Sequence, residues 1–309
     1  MSGIDSKSHR IFDLVEEGSG VARLATGFGF VEGPVWHPVE QALFFSDMAT
    51  DRRRSVTLDG VVTELRYPSC KCNGMTLDRD LELLVCEHVT SSLVRERARG
   101  ARETLACHWQ GTYLNSPNDV VVRSDGTIYF SDPWYGRMAA HGVERPRELG
   151  WQGVFRIPPG GGQDELDLAV PEDEFEMPNG LCFSPDESLL YVDDTPRAHI
   201  KVWDVNPDGT LANGRIFREG IGTGTSGGVV DGIKCDERGN VWVTGPGGVW
   251  VLTPEGEQLG VIEVPEHTSN LAWGGPDWHT LFITASTSVY AIRTTVGPRP
   301  EPHMGWAGP

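Results

Sequence analysis

The stretch SPNDVVVRSDGTIYFSD, residues 116–132, contains two short apolar runs separated by a turn. Valines at 120–122 favour a buried strand, and SDGT at 124–127 has the residues that a tight hairpin needs. Asn118 and Asp119 stand before the valines, so two polar side chains enter a strand that is heading for the interior. They are either ordinary turn residues or side chains with something to bind.

The second strand of this hairpin, IYFSD, has five counterparts along the chain. They are LFFSD (43–47), LLVCE (83–87), LYVDD (190–194), VWVTG (241–245) and LFITA (281–285). Successive copies end 40, 45, 62, 51 and 40 residues apart, and each follows a polar turn. A repeat of about 40–50 residues built from short strands is typical of one propeller blade. The sequence therefore predicts an all-β fold, a six-bladed β-propeller around a central channel.

We expect one domain over residues 1–309, with blades that follow the repeat. The expected blades are 20–66, 67–110, 111–170, 171–219, 220–262 and 263–295. The long steps predict insertions at 134–152 and 161–176, and a further Gly-rich stretch covers 220–230, all on a face of the propeller. The last blade needs an outer strand, which residues 11–26 can supply. The Pro/Gly-rich tail, 296–309, is expected to be loose.

Composition and charge exclude several classes of protein. The chain is 39% hydrophobic and has a formal net charge of -18, and an acidic surface repels phosphate backbones, so nucleic acid is not an expected partner. The N-terminus lacks the apolar core of a secretory signal, and no run of 18 apolar residues predicts a membrane span. The six cysteines have no zinc-binding spacing, so we expect reduced thiols and a cytoplasmic location.

Each repeat also has a polar residue 14 or 15 positions before its end. These ring residues are Glu32, Asn73, Asn118, Asn179, Asp231 and Asn270. The first strand of a blade lines the channel, so six equivalent side chains converge on the axis. Any one of them is compatible with a turn, but six in register need a common cause. Oxygen ligands with few charges suit Ca²⁺ best and Mg²⁺ or Mn²⁺ next, whereas Zn²⁺ prefers the His and Cys that this ring lacks.

The motifs around these residues resemble the gluconolactonase/regucalcin-like family of six-bladed propeller hydrolases. The matching stretches include EGPVW (32–36), LNSPNDVVV (114–122), MPNGLCFSPDE (177–187) and DGIKCDERGNVWVTGPGGVWV (231–251). The resemblance implies a divalent metal held by Glu32, Asn179 and Asp231, with Asn118 in contact with metal or substrate. It also implies hydrolysis of a sugar lactone.

Two departures from the family pattern lie near the expected pocket. Val230 stands where the family usually has Pro, and VTSSLVR (89–95) keeps only Arg95 of an arginine-rich turn. Both changes bear on the identity of the substrate rather than on the metal.

Together with the ring residues, the resemblance predicts a lactonase that opens a small-molecule lactone with metal-activated water. Asp231 is the candidate general base, and Asn118 is expected to orient the substrate or the water. The candidate substrate-binding residues are Asn118, Asn73, His88, Trp134 and Tyr135.

Several of these residues also have a structural interpretation. His88 is compatible with a hydrogen-bonded structural histidine, and Trp134 and Tyr135 with aromatic packing between blades. Asp132 and Asp194 end second strands and are interpreted as braces for neighbouring loops. Two other functions stay open: a non-catalytic calcium- or ligand-binding propeller, and a metal-dependent esterase or phosphotriesterase.

Overall fold

The computed structural model of the protein describes residues 3–16, 18–97, 100–222 and 227–305. Six antiparallel sheets follow one another along the chain, and within each sheet every strand pairs with the next one. The innermost strands of neighbouring sheets contact each other, and the inner strand of the last sheet contacts that of the first. The prediction of an all-β, six-bladed propeller is therefore confirmed.

The strands are given from the innermost outward. Blade one consists of Val31–His37, Ala42–Asp47, Arg52–Thr57 and Val62–Arg66, and blade two of Cys72–Leu77, Leu83–Glu87, Ser92–Glu96 and Arg102–Ala106. Blade three consists of Val120–Val122, Ile128–Asp132, Gly153–Ile157 and Asp167–Leu168, and blade four of Pro178–Phe183, Leu189–Asp194, His199–Val205 and Leu211–Glu219. Blade five consists of Ile233–Cys235, Val241–Gly245, Gly248–Leu252 and Gln258–Glu263. Blade six consists of Thr268–Gly274, Thr280–Ala285, Ser288–Arg293 and Ala22–Thr26.

Aromatic side chains fill the space between neighbouring blades. Trp36 of blade one stacks on Phe282 of blade six, with ring centroids 5.4 Å apart. Tyr129 of blade three meets Phe183 of blade four edge to face, also at 5.4 Å. All four side chains are buried, and burying one such side chain stabilises the fold by about 3 kcal/mol. The core of the protein therefore lies between the blades and holds the inner strands in register.

The N-terminal segment closes the propeller. Ala22–Thr26 pairs antiparallel with Ser288–Arg293 and supplies the outer strand of blade six, as the sequence predicted for residues 11–26. A second N-terminal strand, Ile4–Ser6, was not expected. It pairs with Gln258–Glu263 and gives blade five a fifth strand, which covers an edge that is otherwise free to pair.

The first insertion, 134–152, is pinned to the body of the propeller. It begins with the 3₁₀ turn Tyr135–Arg137. The Arg137 guanidinium is buried and donates to the carbonyl oxygens of Leu114 and Asn115. Because a buried guanidinium with such partners is costly to move, this insertion forms a fixed wall.

The other two stretches expected as insertions differ from the first. Residues 161–176 include the 3₁₀ turn Gln163–Glu165 and the outer strand of blade three, so they form part of the blade itself. Of the Gly-rich stretch 220–230, residues 223–226 lie outside the described part of the chain. A small hairpin, His108–Trp109 with Thr112–Tyr113, joins blades two and three.

The expectation of a loose C-terminal tail is wrong for residues 296–305. Arg299 and His303 are buried, and the Arg299 guanidinium donates to Glu187 at 3.3 Å and to Glu301 at 2.8 Å. Pro298, Glu301 and His303 line a small cavity together with inner-strand residues of several blades, so charge pairing and burial outweigh the freedom that the Pro and Gly residues suggest. The last four residues of the expected tail lie outside the described part.

Helices are few and short. The 3₁₀ turns that lie wholly within the described ranges are His9–Asp13, Tyr135–Arg137, Gln163–Glu165 and Pro302–Gly305. None of the helices in the described ranges has the length and apolar character of a membrane span. All six cysteines fall within those ranges and are free thiols.

Candidate active site

A cavity of about 200 Å³ occupies one mouth of the channel and is called the ring cavity here. It is lined by Phe30, Glu32, Met48, Asn73, His88, Asn118, Tyr135, His141, Asn179, Thr195, Val229, Asp231 and His267. Five of the six ring residues are among them. The constant spacing in the sequence therefore corresponds to convergence of these side chains on one space.

The inner strands are irregular where they present the ring residues. Four of them shift register, between Glu32 and Val35, Cys72 and Met75, Pro178 and Leu181, and Thr268 and Asn270. A bulge of this kind bends a strand and redirects a side chain. In blades three and five, Asn118 and Asp231 stand just before the inner strand. Asn118 is still tied to the second strand of its blade, because its backbone N–H donates to the Ser131 carbonyl oxygen at 2.9 Å. The apolar remainder of each strand is buried and holds these irregular ends in place.

Glu32 is a buried carboxylate held at the channel axis. One of its oxygens accepts the backbone N–H of Gly33 at 2.6 Å and the side-chain N–H of Asn270 at 3.0 Å. Burial raises the pKa of Glu32 to about 7, against these two hydrogen bonds, which lower it. Asn270 is turned toward Glu32 and does not line the ring cavity. It is therefore a brace for Glu32, and the ring that faces the cavity has five members.

Near Asp231 lies the carboxyl group of Asp193, which the sequence analysis missed. Burial, followed by the nearby Glu32 and Asp193 carboxylates, raises the pKa of Asp231 well above its usual range. Asp193 is fully buried, and neither of its oxygens has a hydrogen-bond partner in the described structure. The LYVDD stretch, residues 190–194, contained a signal for Asp193. Successive side chains of a strand face opposite sides of the sheet, and Asp194 faces the loop, so Asp193 faces the other way.

Asp119, the second polar residue of SPNDVVV, lies beneath the ring. One carboxylate oxygen accepts the backbone N–H of Val120 at 2.9 Å, and the other is 3.7 Å from the ammonium of Lys234. Lys234 belongs to the inner strand of blade five, so the pair joins two blades below the cavity. Asp119 therefore acts as a support for the ring.

Asn179 is oriented by a short chain of hydrogen bonds. Its amide nitrogen donates to the Thr195 hydroxyl at 3.1 Å, and that hydroxyl donates to the carbonyl oxygen of Val230 at 2.8 Å. The Asn179 side chain also lies close enough to Asp231 to lower the pKa of that carboxyl, against the larger effect of burial. Asn118 is buried and lines the same cavity.

The donor set suits a hard cation. Within the described ranges, no three His, Cys, Asp or Glu side chains are close enough to hold a metal by themselves. The ring instead combines two carboxylates with neutral carboxamides, a mixture that Ca²⁺ accepts. The side-chain oxygen of Asn73 is buried and has no hydrogen-bond partner in the described structure, so it is open to an ion, a water molecule or a ligand. The four residues predicted as metal ligands, Glu32, Asn118, Asn179 and Asp231, all line the ring cavity.

The predicted substrate-binding residues separate into two groups. Asn73, His88, Asn118 and Tyr135 line the ring cavity. Trp134 does not line it, and the guanidinium of Arg147 lies 4.3 Å from the centre of its ring. Burial raises the pKa of Tyr135, and its hydroxyl, which lies close to Thr195, makes no hydrogen bond of good geometry in the described structure.

Several cavity residues were missed by sequence reasoning, although the repeat contains a signal for some of them. Met48 and Thr195 each follow directly after the end of a second strand, which is also the position of the predicted residue His88. Phe30 and Val229 each stand two positions before a ring residue. The remaining lining residues, His141 and His267, come from connecting segments, whose course the repeat does not specify.

The aspartates that end second strands are braces, as predicted. Asp132 accepts the backbone N–H groups of Asn115 and Ser116, both at 2.8 Å. Asp194 accepts the N–H of Glu176 at 2.7 Å. These bonds fix the segments that lead into the inner strands of their own blades.

A six-bladed propeller with buried carboxylates and carboxamides around one end of its channel defines a class of ligand-binding and hydrolytic proteins. Residues 30–287 match the family model described as the SMP-30/Gluconolactonase/LRE-like region. The chain belongs to this family, as the motifs predicted.

Individual relatives cover most of the chain. A gluconolactonase of Zymomonas mobilis subsp. mobilis is 30% identical over an alignment 311 positions long, which covers 93% of this chain and 85% of the relative. A 6-deoxy-6-sulfogluconolactonase of Pseudomonas putida is 29% identical over 82% of each protein. The solved structure of a gluconolactonase from Xanthomonas campestris is 30% identical over 94% of each chain, with a TM-score of 0.84.

Proposed function

We propose that this lactonase opens a sugar lactone in the ring cavity, with a divalent cation held by Glu32, Asn118, Asn179 and Asp231. Ca²⁺ is the first candidate, because all four ligands are oxygens and only two carry charge. The observation that carries the proposal is that the buried Glu32 and the partly buried Asp231 line one cavity, where loss of solvent raises the pKa of both. Two carboxylates placed so close need a counter-charge, and a divalent cation supplies it.

The relatives support the class of substrate. Family members named gluconolactonase and sulfogluconolactonase match 82% or more of this chain. The ring cavity, at about 200 Å³, has room for a small cyclic ester. An opening of this size also favours catalysis over a closed calcium clip, in which protein ligands would fill every position.

In the proposed reaction, Asp231 takes a proton from water as the water oxygen attacks the lactone carbonyl carbon. The same proton then passes to the ring oxygen as its bond to the carbonyl carbon breaks, which yields the hydroxy acid. A bound cation supplies Lewis-acid polarisation of the carbonyl. Asn179 lies beside the Asp231 carboxylate and favours its charged form, and Asn118 positions the substrate.

The test is lactone opening by the purified protein, measured with D-glucono-1,5-lactone in the presence of Ca²⁺ or a chelator. We expect the chelator to abolish activity. Asp231→Asn should lower kcat by about 100-fold or more, since it removes the base. Asp164→Asn, which changes a carboxylate outside the cavity lining, is the matched control. Full activity in chelator would contradict the role of the cation, and an active Asp231→Asn variant that still binds Ca²⁺ would contradict the role of the base.

A substrate and metal panel separates the remaining alternatives. Aryl esters, a phosphotriester and several lactones would be assayed with Ca²⁺, Mg²⁺, Mn²⁺ and Zn²⁺. Preference for an ester or phosphotriester would replace the sugar lactone as substrate, and Ca²⁺ binding without any turnover would indicate a binding protein. A cytoplasmic location is part of the proposal and is supported by the six free thiols.

A further inference from the structure

We propose that His88 is a positioning residue, which fixes the side-chain amide of Asn73 so that its oxygen is available to a hydroxyl group of the substrate. His88 and Asn73 both line the ring cavity, and the His88 Nε2 atom is 3.2 Å from the Asn73 side-chain nitrogen. The other ring nitrogen of His88, Nδ1, is 3.0 Å from the carbonyl oxygen of His141. The proposal rests on the lactone-opening function stated above.

The partners of His88 determine which of its nitrogens carries a proton. A carbonyl oxygen only accepts hydrogen bonds, so His88 Nδ1 must donate to His141. Burial lowers the pKa of His88 to about 4, so the ring is neutral at physiological pH and Nε2 carries no hydrogen. Nε2 therefore accepts, and Asn73 must present its NH₂ group to it.

This arrangement leaves the side-chain oxygen of Asn73 on the side away from His88. That oxygen is buried and has no partner in the described structure, whereas the backbone carbonyl of Asn73 accepts the Ser46 hydroxyl at 2.7 Å. A buried amide oxygen without a donor is costly unless a ligand or water supplies one. A sugar lactone carries several hydroxyl donors, so Asn73 is placed to accept from one of them.

The first insertion holds His88 in this orientation. Arg145 donates to the backbone carbonyl oxygens of His88 at 2.8 Å and Val89 at 2.6 Å. Gly136 packs so closely that a β carbon there would lie 2.6 Å from the β carbon of His88. The first insertion is thus linked to the substrate site by two hydrogen bonds. One joins the His141 carbonyl oxygen to His88, and the other joins His88 to Asn73.

Two substitutions at His88 separate the two hydrogen bonds. In His88→Gln, the longer carboxamide reaches the place of Nε2 and accepts from Asn73. In His88→Asn, the shorter carboxamide reaches only the place of Nδ1, so it keeps the bond to His141 and releases Asn73. We expect His88→Asn to raise KM for D-glucono-1,5-lactone about tenfold with kcat changed less than about threefold. His88→Gln should restore most of the loss.

A double-mutant cycle with Asn73→Leu completes the test. If His88 acts through Asn73, then His88→Asn should add less than about twofold to KM in the Asn73→Leu background. Equal KM values for His88→Gln and His88→Asn in an active protein, or fully additive effects in the cycle, would overturn this inference and leave the proposed function intact. A wild-type protein without lactonase activity would overturn both.

Discussion

Gly33 lies against the backbone carbonyl group of Asn73, the ring residue of the next blade. A β carbon on Gly33 would overlap the Asn73 carbonyl oxygen and lie 2.7 Å from the carbonyl carbon, and Gly33 has a φ of 51°, a region that favours glycine. Gly74 has the same relationship to Asn118, and Gly180 to Asp231. A glycine after a ring residue therefore lets the inner strands of adjacent blades approach closely, which explains the Glu-Gly, Asn-Gly and Asp-Gly pairs in the sequence.

Gly74→Ala is expected to be destabilising and to impair the site. The new β carbon would overlap the Asn118 carbonyl oxygen and lie 2.6 Å from the Cα of Asp119, so the inner strand of blade three must move. Overpacking against backbone costs about 3 kcal/mol, which urea unfolding measures. Gly150→Ala is the control, because nothing lies within 4 Å of its β-carbon position. Equal stability of the two variants would show that the inner strands are not closely packed.

The stabilisation by a bound cation should grow as pH rises. In the metal-free protein the pKa of Glu32 is raised to about 7, so its contribution to stability is present at low pH and is lost as pH rises through about 7. A divalent cation competes with the proton and removes this loss. We expect the difference in unfolding temperature between Ca²⁺-loaded and chelated protein to be larger at about pH 8 than at about pH 6.

Glu32→Gln is the matched variant for this measurement. It keeps the shape of the side chain and removes its titration, so the difference in unfolding temperature should depend less on pH. A difference that is the same at both pH values in the wild-type protein would show that Glu32 does not contribute to cation binding.

Tyr135→Phe should weaken substrate binding without destabilising the fold. The Tyr135 hydroxyl is buried without a well-formed hydrogen bond, so removing it costs the folded protein nothing and relieves an unpaired group. We expect KM for D-glucono-1,5-lactone to rise about fivefold, with the free energy of unfolding unchanged or higher. Trp134→Phe removes an equally unpaired indole N–H outside the cavity and should leave KM unchanged. The same KM for both variants would exclude Tyr135 from the substrate site.

Arg299→Met is expected to release the C-terminal segment. Arg299 is 1% exposed and bridges Glu187 and Glu301. Its removal leaves the partly buried Glu301 carboxylate without its cation, while Glu187 keeps its hydrogen bonds from Ser124, and we expect a cost of about 3 kcal/mol. Cys182 and Cys235 line a small cavity beside the segment and should then react faster with a thiol reagent.

Arg215→Met is the control for the release of the segment. Its ion pair with Asp204 is half-exposed, at 49% and 42% of the two side chains, and its loss should cost less than about 1 kcal/mol. If thiol reactivity is the same in both variants, the segment does not depend on Arg299.

The sequence was most informative where one physical cause repeats in every blade. The second strands and the ring residues recur at a fixed offset, so a count along the chain located Glu32, Asn118 and Asp231 without coordinates. Asn270 shows the limit of this argument, because the offset places a residue at the ring but does not show that it turns toward Glu32. Asp193 was hidden beside Asp194 for a similar reason, since which of two neighbours faces the channel depends on the strand's register.

The remaining misses lie in segments that do not repeat. Trp134 is one position from Tyr135, and only the course of the first insertion decides which of the two faces the cavity. The tail was expected to be loose because of its Pro and Gly content. Glu187, one of the two ion-pair partners that hold Arg299, is more than a hundred residues away in the sequence. Contacts of that range leave no periodic signal in the sequence.

The strand Ala22–Thr26 also sets the order of events during synthesis. Ala22 pairs with Ala291, so this strand cannot be placed until the ribosome has also made the strand Ser288–Arg293, far along the chain. Until the two strands pair, blade six presents the free edge of Ser288–Arg293, and a matching strand from a second nascent chain can occupy it as well as its own. Exchange of this one strand between two molecules is therefore the characteristic misassembly of this propeller at high local concentration.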